Sequence, residues 1–170
     1  RLLLDHDVRS YLEIGCRSGG TFNVVMRVLP PGSTGVALEL PGGNWGNQTS
    51  LNSLTRVIRE LKKDGKDVNL ILGDSQNQEI AQEISELGPF QAILIDGDHL
   101  YEGVKADWEN YGKLSPLVAF HDVAGDGVVQ TSTGLPVEVP RLWQELKARG
   151  LQTSELIRDG SDMGIGVVLS

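Results

Sequence analysis

Apolar segments with two different periodicities alternate along this chain of 170 residues. Short runs rich in Val, Ile and Leu are typical of buried strands, and each is followed by a stretch whose apolar residues recur at helical spacing. The predicted strands are residues 8–14, 35–40, 68–72, 90–95 and 117–120, and the predicted helices are residues 21–29, 51–63, 78–87, 101–114 and 138–149. This alternation predicts a parallel sheet with helices on both faces.

The last two predicted strands break the alternation. Residues 153–157 and 164–169 are separated only by the polar turn 158–162. Parallel neighbours need a longer crossover, so this pair is expected to form an antiparallel hairpin. The sequence therefore predicts one α/β domain over residues 1–170, with a Rossmann-like, doubly wound, mostly parallel sheet of seven strands that ends in an antiparallel hairpin. The first residue is Arg1 rather than Met, which leaves open a domain truncated at its N-terminus.

The charge and composition of the chain disfavour several kinds of binding partner. The formal net charge is −8, which disfavours binding to the phosphates of nucleic acids. No apolar run is long enough to cross a bilayer, and no signal peptide is recognisable. The single cysteine, Cys16, cannot form an internal disulfide, which fits the cytoplasm. A cytoplasmic protein without nucleic-acid or membrane partners is expected, and a homo-oligomer stays open. The basic residues that alternate with acidic ones on one predicted helix indicate a solvated face; they are Arg56, Arg59, Lys62, Lys63 and Lys66.

A glycine-rich segment, Glu13-Ile-Gly-Cys-Arg-Ser-Gly-Gly20, lies between the first predicted strand and helix. Glycines at such a turn let the backbone approach a ligand closely. Their spacing differs from that of NAD-dependent dehydrogenases, and the carboxylate of Glu13 suits a positively charged ligand group better than a pyrophosphate. Taken alone, these glycines fit an ordinary turn without a ligand equally well.

Acidic or polar residues also follow the other predicted strands. Glu39, Asp74, Asp96 and the pair His121-Asp122 stand at the ends of strands two to five. The carboxyl ends of parallel strands meet at one edge of a sheet, where ligands bind near the switch point. A carboxylate at Glu39 could accept hydrogen bonds from both hydroxyls of a ribose, and polar groups at Asp74 could meet an adenine edge. Any one of them could be an exposed turn or a helix cap, but together they predict a cofactor site.

Three segments carry a family resemblance: Glu13 to Gly20, Ile95 to Asp107 with its Asp-Gly-Asp-His-x-Tyr-Glu pattern, and Phe120-His-Asp122. Together they resemble a bacterial group of class I S-adenosylmethionine (SAM)-dependent methyltransferases near the macrocin-type O-methyltransferases and the cephalosporin hydroxylase-like proteins. The resemblance spans about Tyr11 to Leu169. It implies SAM as cofactor and the following lining residues: Glu13, Gly15, Cys16, Arg17, Gly19, Glu39, Leu40, Asp74, Ser75 and Asp96. Two positions depart from the family pattern, since Arg17 replaces a frequent glycine and Ser115-Pro116 replaces a Pro-Gly-Gly turn.

The resemblance also implies a reaction, the O-methylation of a hydroxyl on a small molecule or a sugar. His99 would be the base, because imidazole titrates near neutral pH and can accept the hydroxyl proton. Asp96 would be a second catalytic residue. An alternative is that His99 caps the following helix, a task that Asp98 could also perform. Asp96 and Asp122 correspond to metal ligands by this resemblance, and His121 is a third candidate ligand that departs from the family pattern, where the usual residue is acidic or an amide. Magnesium prefers oxygen ligands, whereas an imidazole suits softer divalent ions. The metal therefore stays a tentative expectation, and the alternative is that His121 and Asp122 hydrogen-bond a loop.

Other features leave alternatives open. Trp45 follows Glu39 in a loop and could stack on an adenine, whereas Trp108 and Trp143 are expected in the core. The glycine-rich loop at residues 124–136 shows no pattern of core residues. It is expected to be mobile and to form the part of the site that contacts the methyl acceptor. A cofactor-binding or assembly domain without catalysis remains an alternative function. An NAD-dependent oxidoreductase is disfavoured by the glycine spacing and the final hairpin.

Overall fold

A seven-stranded sheet organises the part of the chain that the computed structural model describes, residues 2–44, 48–125, 127–130 and 133–170. The strand order is β3-β2-β1-β4-β5-β7-β6. The strands are β1 (Ser10–Ile14), β2 (Thr34–Glu39), β3 (Asp67–Leu72), β4 (Ala92–Ile95), β5 (Leu117–His121), β6 (Gln152–Ile157) and β7 (Gly164–Leu169).

The pairing confirms the predicted topology. Strands β1 to β5 pair in parallel with their neighbours, whereas β7 pairs antiparallel with both β5 and β6. The chain order reverses between β1 and β4, which creates a switch point at their carboxyl ends. The fold is therefore the Rossmann-like, doubly wound sheet with a terminal hairpin that the sequence predicts.

Helices cover both faces of this sheet. They are α1 (Leu2–Asp5), α2 (Gly20–Val28), α3 (Gln48–Lys63), α4 (Gln78–Leu87), α5 (Tyr101–Tyr111) and α6 (Val139–Ala148). The predicted helix 101–114 is divided, because a 3₁₀ turn over Gly112–Leu114 follows α5. The ring of Trp108 lies over Gly112, where a Cβ would come within 2.5 Å of it. Within the described ranges, no helix is both long and apolar enough to cross a membrane.

The alternation of side chains along β1 divides the core into two clusters. Leu12 and Ile14 point to the face covered by α4, α5 and α6, whereas Tyr11 points to the face covered by α2 and α3. Trp143 is fully buried, as expected for a core residue. Trp108 is partly buried and packs on Phe120, with ring centroids 5.7 Å apart.

The loop after β5 has more order than its sequence suggests. Val129 and Pro136 form an antiparallel bridge, and the backbone N–H of Val137 donates to the carbonyl of Val128 at 2.8 Å. Val137 is buried. The two limbs of the loop therefore pair with each other at these residues, and the expected mobility of the loop stays a prediction.

Candidate functional site

A cavity of about 710 Å³ opens at the carboxyl edge of the sheet, over the switch point. This volume lies within the roughly 300–1,000 Å³ typical of small-molecule sites. Ten of the predicted site residues line it: Gly15, Arg17, Glu39, Leu40, Asp74, Ser75, Asp96, His99, His121 and Asp122. Three others, Glu13, Cys16 and Gly19, do not line it, although they lie in the same segment of the chain.

Gly15 permits the close approach of the first and fourth strand ends. Its φ is +85°, and a Cβ at this position would overlap the carbonyl oxygen of Asp96 and lie 2.6 Å from Cα of Gly97. The N–H of Asp96 donates to the carbonyl of Ile14 at 2.9 Å, which holds the two ends together. The glycine at this position is therefore required by sterics as well as by backbone conformation.

The second glycine of the motif serves helix packing. Gly19 precedes α2 with φ +80°, and a Cβ there would lie 2.9 Å from Cδ1 of Leu54 on α3. Gly19 thus lets α2 and α3 approach each other. Its predicted contact with the cofactor remains a prediction.

Arg17 and Glu39 both line the cavity and are connected by a hydrogen bond. The backbone N–H of Arg17, a residue with φ +50°, donates to Oε2 of Glu39 at 2.6 Å. Burial raises the pKa of the Glu39 carboxyl, and this hydrogen bond partly offsets the increase. The left-handed backbone at Arg17 thus orients the carboxylate that ends β2.

Glu13 is buried and does not line the cavity. It shares a face of β1 with Tyr11, whose hydroxyl donates to Oε2 of Glu13 at 2.6 Å. The thiol of Cys16 donates to the carbonyl of Glu13 at 3.4 Å. Burial raises the pKa of Glu13 to about 8. Because alternate side chains of a strand point to opposite faces, the motif places this carboxylate towards α2.

Helix α5 holds the turn that follows β3. The carbonyl of Ser75 accepts hydrogen bonds from the hydroxyl of Tyr111 at 2.7 Å and from Nδ2 of Asn110 at 3.3 Å. The Oδ1 atom of Asp74 accepts from the N–H of Gln76 at 2.9 Å, which shapes the turn itself. The spacing of residues in α5 does not predict this supporting role, since nothing in it indicates a partner outside the helix.

Two aspartates and two histidines meet where β4 and β5 end. The imidazole of His99 lies between them, with Nδ1 3.1 Å from Oδ2 of Asp122 and Nε2 3.5 Å from Oδ1 of Asp96. The Nδ1 atom of His121 lies 3.3 Å from Oδ1 of Asp96 and 3.0 Å from Oδ1 of Asp122. These four side chains, the Asp–His cluster, bring together the residues that the sequence predicts for catalysis and metal binding.

The charges within the Asp–His cluster reinforce one another. Burial by itself would lower the pKa of His99, but contacts with Asp122 and Asp96 outweigh it and raise the pKa to about 9. The same carboxylates raise the pKa of His121 to about 10. Burial would raise the pKa of both aspartates, whereas the imidazoles hold both below the usual range. At neutral pH, the cluster therefore consists of two imidazolium–carboxylate pairs.

The predicted metal site at Asp96, His121 and Asp122 is not supported. The described ranges contain no group of three or more His, Cys, Asp or Glu side chains arranged to hold a metal ion. The carboxylate oxygens that would coordinate a cation face the imidazole nitrogens instead, and one of them, Nδ1 of His121, stands between the two aspartates. Magnesium prefers oxygen ligands, so this donor set does not fit it.

The contacts described at the start of α5 involve residues other than His99. Leu100 is the residue that precedes α5, and its N–H donates to Oδ1 of Asp98 at 3.0 Å. The first N–H of the helix, at Tyr101, donates to Oε2 of Glu138 at 2.9 Å. The predicted capping role of Asp98 is therefore confirmed at Leu100.

The alternative role of Asp122 as a partner of the loop is confirmed in one contact. Nε2 of Gln130, in the loop after β5, donates to Oδ2 of Asp122 at 3.3 Å. Gln130 is not predicted from the sequence as a site residue, because the loop has no periodicity from which its neighbours could be predicted. Asp162 and Met163, in the turn between β6 and β7, also line the cavity and were not predicted. Trp45 lies outside the described residues.

Comparisons with known proteins locate this fold among methyltransferases. No protein-family model and no curated protein matches the chain. Among solved structures, the O-methyltransferase from Bacillus cereus in complex with SAH superposes with a TM-score of 0.71 at 24% identity, over 99% of this chain and 77% of that one. The O-methyltransferase TomG from Streptomyces achromogenes, in complex with SAM, gives 0.68 at 18% identity over 99% and 75%.

A more distant match extends the same likeness. Fibrillarin from Aeropyrum pernix, with natively bound S-adenosyl-L-methionine, gives a TM-score of 0.66 at 14% identity, over 95% of this chain and 66% of that one. At sequence identities of 14–24%, the similarity to these structures shows a shared fold. The chain therefore has the fold of the class I SAM-dependent methyltransferases.

Proposed function

We propose that this chain is a SAM-dependent methyltransferase that acts on a hydroxyl of a small molecule, such as a sugar or a phenol. The observation that carries the proposal is a single cavity with two chemically different ends. Glu39, Asp74 and Ser75 form an end suited to a nucleoside, and the Asp–His cluster forms an end suited to proton removal. The switch point of the sheet, where ligands of open α/β sheets bind, lies between them.

The charge of the cavity favours a cationic cofactor. Among the described residues that line it are six carboxylates: Glu39, Asp74, Asp96, Asp98, Asp122 and Asp162. Arg17, His99 and His121 carry the positive charge of the lining, so negative charge predominates. Such a lining attracts the sulfonium of SAM and repels the pyrophosphate of a dinucleotide. This supports a SAM site over the NAD site of an oxidoreductase.

Transfer of a methyl group to a hydroxyl needs a base and an aligned oxygen. SAM, when bound, supplies an electrophilic methyl group. At the other end of the cavity, Nε2 of His99 can take the proton of the acceptor hydroxyl, while Asp122 contacts the opposite ring nitrogen at 3.1 Å. Holding both reactants in one cavity lowers the entropic cost of their encounter.

Isothermal titration calorimetry with SAM, S-adenosylhomocysteine (SAH) and NAD tests the proposed cofactor. The chain is expected to bind SAM and SAH and to show no heat with NAD, because the lining is acidic. Binding of NAD alone would contradict the proposal. Binding of SAM without turnover on a panel of phenols and sugars would favour the alternative of a cofactor-binding domain without catalysis.

Replacing Glu39 by glutamine is expected to weaken SAH binding by about tenfold or more, since a hydrogen bond to a charged group contributes about 1.5–3 kcal/mol. Glu13→Gln is the matched comparison, because Glu13 is also a buried carboxylate near the cavity but does not line it. Its effect on SAH affinity is expected to be smaller. Equal losses for the two variants, measured by calorimetry, would contradict the assignment of Glu39 to the ribose.

The pH dependence of turnover tests the base. The neutral form of His99 is the active one, so kcat/KM is expected to rise about tenfold per pH unit and to level off near pH 9. The raised pKa of His99 stabilises the fold fully below about pH 6.5, and this contribution is lost as the pH rises through about 9. Circular dichroism across the same range therefore serves as the control. A profile that is flat from about pH 6 to about pH 10 would contradict a role for His99 as base.

A further inference from the structure

Apolar side chains line the end of the cavity that contains the Asp–His cluster. Val128, Val129 and Val137 come from the loop after β5, and Met163 comes from the turn between β6 and β7. Two of these side chains are largely exposed, since the exposed fraction is 61% for Val129 and 55% for Met163. A single exposed apolar side chain is ordinary, but such side chains grouped in one cavity are typical of a ligand-binding surface.

The loop after β5 brings Val129 next to the Asp–His cluster. Val129 directly precedes Gln130, whose Nε2 atom lies 3.3 Å from Oδ2 of Asp122 and 3.2 Å from Nδ1 of His99. The antiparallel bridge between Val129 and Pro136 holds the backbone of this limb in place. Val129 is therefore only one residue away from a side chain that contacts the cluster directly.

The turn between β6 and β7 brings Met163 to the same end of the cavity. The next residue, Gly164, accepts a hydrogen bond at its carbonyl from the N–H of Val123, which directly follows a member of the cluster, at 3.3 Å. The loop after β5 also meets this turn at Gly125, where a Cβ would lie 2.5 Å from the carbonyl oxygen of Asp162. An acceptor whose hydroxyl reaches the cluster would therefore lie against apolar side chains of both segments.

The polar groups at this end are mostly occupied by one another. The four side chains of the Asp–His cluster contact each other at 3.0–3.5 Å, and Oε1 of Gln130 is buried. The exposed carboxylate of Asp162 also lines the cavity, but one carboxylate does not match the several hydroxyls of a sugar. Each hydroxyl that loses water without gaining a partner weakens binding, so this end of the cavity disfavours a sugar.

We infer that the methyl acceptor carries its hydroxyl on an aromatic ring, which packs against Val129 and Met163 while the hydroxyl reaches the Asp–His cluster. An aromatic ring buries a large apolar area, and a phenol adds a single polar group at its edge. The thioether of Met163 also makes favourable contacts with aromatic rings. The inference rests on the proposed function for the identity of the reaction, and it narrows the acceptor from sugars and phenols to phenols.

NMR of the methionine methyl groups tests this inference without turnover. The chain has two methionines, Met163 and the fully buried Met26, so labelling with carbon-13 in the methyl group gives a signal at the proposed site and an internal control. Measured with and without SAH, 2-naphthol is expected to shift the Met163 signal in a saturable way, through the ring current of the bound aromatic, and to leave the Met26 signal in place. Methyl α-glucoside at the same concentration is expected to shift neither signal.

Two variants of Met163 test the apolar contact by calorimetry. Met163→Gln keeps the length of the side chain but makes it polar, and it is expected to weaken binding of 2-naphthol by about two- to tenfold. Met163→Leu keeps an apolar surface and is the matched control, which also assigns the NMR signal because it removes it. Its affinity is expected to stay within about twofold of the wild-type value. Because Met163 is more than half exposed, both variants are expected to fold.

Val129→Thr provides an independent variant on the other segment. It exchanges a methyl group for a hydroxyl at nearly constant shape and is expected to weaken binding of 2-naphthol in the same direction. In turnover assays, Val129→Thr and Met163→Gln are expected to raise the KM for 2-naphthol and to leave the KM for SAM unchanged. A merely structural change would alter both constants.

The outcomes distinguish this inference from the proposed function. A Met163 signal that 2-naphthol does not shift, or that methyl α-glucoside shifts equally, would overturn the inference even if SAH binds. Equal affinity of the wild type, Met163→Gln and Val129→Thr for 2-naphthol would also overturn it, because the ring would then bind at another place. A chain that binds no SAH but shows the naphthol-dependent shift of Met163 would contradict the proposed function and support the aromatic site.

Discussion

Gly15→Ala is expected to destabilise the protein by about 2–5 kcal/mol and to abolish measurable SAH binding. About 1–2 kcal/mol comes from placing a side chain on left-handed backbone, and about 1–3 kcal/mol from forced overlap with a packed neighbour. The new Cβ would meet the backbone of Asp96 and Gly97, which cannot rotate away as a flexible side chain would. Thermal unfolding measures the loss, expected as a fall in Tm of roughly 4–20 °C.

Gly32→Ala is the matched control for this variant. Gly32 has a similar left-handed backbone, with φ +80°, but among the described residues no atom outside its immediate neighbours lies within 4 Å of the position a Cβ would take. It is expected to cost only the backbone contribution of about 1–2 kcal/mol and to leave SAH binding intact. If both variants lost the same stability, the close approach between Gly15 and the end of β4 would not be the reason for the glycine.

His99→Gln is expected to lower kcat by about 10²–10⁴-fold on any acceptor that the wild type methylates. Glutamine keeps a polar side chain that can donate to Asp122, but it cannot take up a proton. SAH affinity is expected to stay within about twofold of the wild-type value, because the change removes an interaction with the reacting hydroxyl and not with the nucleoside. Single-turnover measurements with SAM in excess separate this loss from a slower release of product.

His6→Gln provides the control for the histidine variant. His6 is exposed near the N-terminus and does not line the cavity. Its turnover and SAH affinity are expected to equal those of the wild type. Unchanged turnover in His99→Gln would remove His99 from the mechanism and leave Asp96 as the nearest candidate for the base.

The sequence predicts the sheet topology well because that topology depends on local features of the chain. The terminal hairpin follows from the short turn 158–162, and the parallel strands follow from the helices between them. The boundaries are less accurate, as at α5, where the expected helix 101–114 ends at Tyr111. At this end of α5, Trp108 packs against Gly112, a contact that helical periodicity does not reveal.

The sequence predicts which residues line the cavity better than it predicts which groups their side chains contact. Glu39, Asp74, Asp96 and Asp122 all line the cavity because strand ends in a parallel sheet share one edge. Glu13 differs, since the alternation of β1 directs its side chain to Tyr11. That direction could have been deduced from the sequence, because Tyr11 and Glu13 are two residues apart.

The sequence by itself determined the order of strands and helices, the glycine at position 15 and the edge of the sheet where the acidic residues gather. These properties depend on periodicity, on turn length and on the allowed backbone angles of single residues. The tertiary structure alone decided that Asp96 and Asp122 face imidazoles, and that Gln130 reaches His99 from the loop after β5. Such pairings depend on side-chain directions after the strands have packed, and no spacing along the chain encodes them.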